Sequence, residues 1–83
     1  MSKLYYRLNN LCMFLKQEKI IDSFDILDLK SSNDDDKIFE EYKEYYKKLL
    51  QNSFNNKLIV SFIHKYKSFI DEYEDDLKKR EER

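Results

Sequence analysis

Four leucines, Leu4, Leu8, Leu11 and Leu15, step along the chain by four, three and four residues. That spacing gathers side chains on one helical face. Tyr5 and Cys12 widen the stripe on one flank, which predicts a first helix from about Ser2, a candidate N-cap, to about Ile20. Asp22 or Ser23 then caps a short helical element at residues 24–29, with Phe24, Ile26 and Leu27 facing inward. The polar run Ser31-Ser32-Asn33-Asp34-Asp35-Asp36 punctuates the chain, with Ser32 or Asn33 as the next cap. Three aspartates at that point suit the positive end of a helix macrodipole.

A third helix follows, on which Ile38, Tyr42, Tyr45 and Leu49 repeat the four-three-four step, flanked by Phe39, Tyr46 and Leu50. Glu44 and Lys48 form an oriented i, i+4 pair. A second polar break runs from Asn52 to Asn56. The last helix has the longest stripe: Ile59, Ile63, Tyr66, Ile70, Tyr73 and Leu77, with Phe62 and Phe69 beside it. Nearly three heptads of apolar seam result. Three i, i+4 pairs support its end: Glu74 with Lys78, Asp75 with Lys79 and Asp76 with Arg80.

The chain of 83 residues contains no Gly and no Pro. Tight hairpins lean on Gly or Asn-Gly, so a sheet here would lack its usual turn chemistry. The fold class expected is therefore all-α: a small antiparallel helical bundle of three long helices plus one short helix, with short connections. One domain accounts for residues 1–83, with about 78–83 a projecting or fraying helix end. Aromatic residues make up 16% of the chain, and a domain this short needs such large side chains to fill its core. They also separate it from the disordered class, despite 40% charged residues.

Charge is blocked along the chain. Residues 1–21 carry four basic side chains and one acidic; residues 22–46 carry nine acidic and three basic. Residues 47–69 hold five lysines and no acid, and residues 70–83 carry seven acidic and four basic side chains. With only one cysteine, no internal disulfide forms, which suits a reducing compartment. The longest apolar run, residues 11–15, falls far short of the ~18 needed for a membrane span. A secretory leader is not evident, so the location expected is the cytoplasm of the producing or host cell. The Lys-, Asn- and Ile-rich composition suggests AT-rich coding, loosely that of a virus, a phage or a low-GC bacterium.

Catalytic chemistry has little to work with. His64 is the only histidine and reads as an exposed imidazole beside lysines. Cys12 reads as a buried, inert small hydrophobe. The aspartates at 34–36 read as helix-capping rather than metal-binding, so no metal and no cofactor is expected. The candidate partner-binding residues are the basic set Lys47, Lys48, Lys57, His64, Lys65 and Lys67, with Tyr46 and Tyr6 as surface aromatics. Tyr66 and Tyr73 are expected to bury their rings and leave their hydroxyls at the edge in water.

The reading is a non-enzymatic protein-binding module, docking a charged, Tyr-rich helical surface on a protein partner. In size and texture, with no shared motif, the chain resembles phage inhibitors, antitoxins and bacteriocin immunity proteins. One alternative is a small nucleic-acid-associated regulator using the lysines of residues 47–67, although that segment has no Arg and the sequence pI is near 5.8. Another is a self-assembling helical protein, a homo-oligomer paired through the 59–77 seam.

Overall fold

The computed structural model describes residues 3–52 and 57–81. Helix α1 spans Lys3–Gln17, α2 Asp35–Gln51 and α3 Lys57–Glu81, and a single turn of 3-10 helix at Leu27–Leu29 lies between α1 and α2. Among the described residues the chain is thus an all-α bundle of three helices, and the short fourth element is a turn rather than an α-helix. Ser2 and residues 53–56, where a cap and a break were expected, lie outside the described residues.

Helix α1 stops at Gln17, three residues short of the apolar Ile20, and its end explains why. The Lys19 N–H donates to the Lys16 carbonyl at 3.0 Å and the Ile20 N–H to the Leu15 carbonyl at 2.9 Å. This pair of bonds is the Schellman arrangement, which places one residue in the left-handed region. Glycine normally occupies that position. Here it is Lys19, at φ 61°. Ile20 then packs against the core, in keeping with the apolar contact that accompanies the motif.

The start of α2 moves by one residue from the expected caps. Asp34 is the N-cap, its Oδ1 accepting from the Lys37 N–H at 3.2 Å. Ser32 acts one step earlier, its hydroxyl oxygen accepting from the Asp34 N–H at 3.1 Å. Between the helices, Ile26 and Leu29 are buried but Leu27, expected inward, is 72% exposed. A three-residue 3-10 turn does not keep the α-helical register, so Leu27 turns outward and Leu29 joins Ile26 in the inward positions.

Ring contacts give the directions of the helices. Phe14 lies 4.7 Å from Phe62, while Arg7, two turns earlier on α1, lies over Phe69 at 4.4 Å. Phe39 meets Tyr73 at 4.2 Å and Tyr42 meets Tyr66 at 6.5 Å. Helix α3 is therefore antiparallel to both α1 and α2, as the expected bundle requires. The other two run in the same sense. Residues 18–34 consequently form a long return along the bundle rather than a short link, with Ile20, Ile21 and Phe24 packed against the core as they pass.

Leu8, Leu11, Cys12, Leu15, Ile38 and Leu49 are fully buried. Each buried aliphatic side chain contributes roughly 1.5–3 kcal/mol, so these small, smooth residues bring α1 and α2 close together. Helix α3 is seated differently, through Phe62, Tyr66, Phe69 and Tyr73 against Phe14, Phe39 and Tyr42. The 59–77 seam is turned largely inward: Ile59, Tyr66 and Ile70 are buried by the chain's own helices, while Ile63, Tyr73 and Leu77 are partly buried.

Tyr46, expected at the surface, is only 8% exposed. Helix α2 lies between two neighbours, so its covered arc is wider than a single stripe and reaches Tyr46 on the flank. Tyr73 does not leave its hydroxyl to water. It donates to Asp36 Oδ1 at 2.8 Å, tying α3 to the start of α2. Burial and that carboxylate push the Tyr73 phenol up to about 12. Of the three expected pairs at the end of α3, Lys79 and Asp75 meet at 3.3 Å. Lys47 takes Glu44 at 3.2 Å, and Lys48 instead lies 5.8 Å above the Tyr45 ring.

Candidate functional site

Two surfaces combine exposed side chains with a defined place in the fold, and both begin on α1. That helix carries Lys3, Arg7 and Lys16 and no acidic side chain. Its buried stripe leaves the opposite side to solvent, where Tyr6 is 49% and Met13 56% exposed. Seven residues apart, they lie two turns from each other on one face. Asn9 supports Met13, its Nδ2 donating to the sulfur at 3.5 Å. Beside Met13, a shallow groove is lined by Lys16, Gln17 and Phe24, the last supplied by the return segment.

The second surface is a cleft of about 90 Å³ where α1, α2 and α3 converge. Arg7 and Asn10 line it from α1, Tyr42 from α2, and Lys65 and Tyr66 from α3. Arg7 and Asn10 share the cleft because they are three residues apart, one turn along the same side. The Arg7 guanidinium rests 4.4 Å above Phe69 and the Lys65 ammonium 5.7 Å from the Phe62 ring centre, so aromatic faces hold both cations. Ion pairs among the described residues join Lys43 to Glu40, Lys47 to Glu44 and Lys79 to Asp75; Arg7 and Lys65 take part in none of these. At the floor, the Tyr42 hydroxyl donates to the Tyr66 carbonyl at 3.4 Å, a long bond for an O–H donor. Burial holds the Tyr42 phenol well above its ordinary value, and the nearby Arg7 charge only partly offsets this.

The structure gives the sequence-predicted basic residues separate neighbours. Lys47 is paired with Glu44, and Lys48 stacks on Tyr45. Lys57, His64 and Lys67 are exposed on α3, and the Ser68 hydroxyl donates to the His64 carbonyl at 2.8 Å. Lys65 enters the cleft. Tyr46 is withdrawn into the core, and Tyr6 stays outside with its ring edge-on to Tyr5 at 6.0 Å. The sequence reading missed Arg7, Asn10 and Met13.

Cys12 is fully buried, and desolvation, with a smaller effect from Glu41, raises its thiol to about 12. The Tyr45 hydroxyl is its hydrogen-bonding neighbour and partly offsets that rise. A thiol in this setting is a poor nucleophile at neutral pH. Among the described residues no group of three or more His, Cys, Asp or Glu side chains is placed to hold a metal ion. Nor is any helix among them long and apolar enough to cross a membrane. No protein-family model, curated protein or solved structure matches the chain.

Proposed function

We propose that this chain is a non-enzymatic protein-binding module, of the inhibitor, immunity or antitoxin type, that docks the outer face of α1 on an acidic surface of a protein partner. One observation carries the reading: a helix without a single acid exposes Tyr6 and Met13 between Lys3 and Lys16. Tyrosine and methionine are enriched at interfaces, where a polarisable, adaptable methionine fills irregular gaps in a partner's surface. Flanking lysines add a field that speeds encounter with a negatively charged patch and discriminates against basic ones. The phage- or virus-encoded origin suggested by composition fits small proteins that act by occluding a site.

The test compares capture from native lysate by the wild-type chain and by a Met13→Glu, Lys16→Glu double variant. Support requires an acidic protein retained by the wild type at low salt, released by added salt, and lost with the double variant. Retention of the same protein by the double variant would overturn the assignment of this face.

A further inference from the structure

We propose that the cleft between α1 and α3 is a phosphate-binding site, a cradle for one tetrahedral oxyanion supplied as inorganic phosphate or as the monoester of a larger molecule. Arg7 and Asn10 border the docking face along α1, but Tyr42 stands on α2 and Lys65 on α3, so a variant at Lys65 tests the cleft without touching that face. Size comes first. At about 90 Å³ the cleft has room for a phosphate group.

Charge and donors come next. Arg7 and Lys65 bring two cations to one small space from different helices, and neither belongs to an ion pair identified among the described residues. Two like charges facing a common cleft repel each other, and a dianion between them turns that repulsion into attraction. The first acid after Lys65 on the same side of α3 is Glu72, seven residues on and about 10 Å along the axis. A guanidinium stacked on Phe69 keeps its N–H edge free for paired donation to oxygen, the geometry for which phosphate is the natural acceptor. Asn10 adds an amide donor. The Tyr42 hydroxyl, proton-bearing and held only by a 3.4 Å bond, adds a second neutral donor from the floor. Donors arriving from three helices match a tetrahedral ion better than a planar carboxylate.

The experiment titrates the ¹⁵N-labelled chain with sodium phosphate, and separately with sodium chloride at matched ionic strength. The Asn10 side-chain amide and the Arg7 Nε–H are followed by NMR. Saturable shifts with phosphate but not chloride are expected, with binding weakened at least tenfold in Lys65→Met and in Arg7→Met. Because Arg7 also seats Phe69, Lys65→Met is the deciding variant; its exposed side chain can be lost without disturbing the core. A parallel titration with a phosphoserine peptide separates the two sources. At least tenfold tighter binding than free phosphate assigns the group to a larger molecule, and equal or weaker binding assigns the free ion. If neither probe saturates, or Lys65→Met binds as tightly as the wild type, the proposal is wrong.

Discussion

Phe69→Ala tests how α3 is held. The ring lies 5.1 Å from Tyr42, 6.4 Å from Phe39 and 6.3 Å from Tyr73, with Arg7 above it at 4.4 Å. Truncating a fully buried Phe costs about 3–5 kcal/mol; Phe69 is half-buried, which lowers its share to about 2–4 kcal/mol once its ring pairs are included. A chain of this size has a total stability of about 4–12 kcal/mol, so the loss is a large fraction of it. At about 4–8 °C per kcal/mol, the midpoint of thermal unfolding should drop by roughly 8–32 °C. Circular dichroism melts measure this directly, with Val60→Ala, half-exposed on the same helix, as the control expected within about 0.5 kcal/mol of wild type. If Phe69→Ala melted within about 1 kcal/mol of that control, α3 would not be seated through this ring and the derived helix directions would lose their support.

Lys19→Gly should stabilise the chain by about 0.5–1 kcal/mol, since a left-handed side-chain-bearing residue is relieved at some cost in unfolded-state entropy; denaturant titration reads the gain. Cys12 should resist a thiol reagent at pH 8 in the folded chain and react promptly in denaturant, so fast labelling of the native protein would contradict its burial. Stability should also fall in alkali. The Cys12 thiol is raised from 9.0 to about 12 and the phenols of Tyr42, Tyr45, Tyr46, Tyr66 and Tyr73 are raised above 10.0, in each case first by burial. Below the unfolded values these groups are neutral in both states. Above pH 9 the unfolded chain ionises first, so their contribution is lost between about pH 9 and 12. Melting temperatures measured across that interval check the sign.

The helices were legible because their apolar spacing is regular and deep in leucine, and Leu8, Leu11, Ile38 and Leu49 sit where that spacing puts them. The connections were not. Lys19 does the work of a C-terminal glycine, so the ordinary stop signal for α1 is absent and the helix reads as running on to Ile20. Leu27 keeps an inward helical position only if residues 24–29 form an α-helix, and three of them make a 3-10 turn instead. Tyr46 illustrates a different limit. A stripe drawn for one neighbour cannot show that α2 has two. The cleft was hidden for a related reason: Arg7 lies on a helix legible only by its leucine stripe, Lys65 is one of five lysines in a basic block, and only the antiparallel return of α3 puts them on one opening.

Helix α3 rests on the other two through interlocking rings, while α1 and α2 approach each other more closely along their lengths. That difference divides the molecule into two tiers of persistence. A fluctuation that lifts α3 away leaves the Leu-Cys-Ile contacts between α1 and α2 in place, and it uncovers the aromatic shelf of Phe39 and Tyr42. Amide protons of α3 should therefore exchange with solvent sooner than those in the middle of α1. The same fluctuation would break up the cleft, so an oxyanion held there would act as a latch on the more frequent of the two motions.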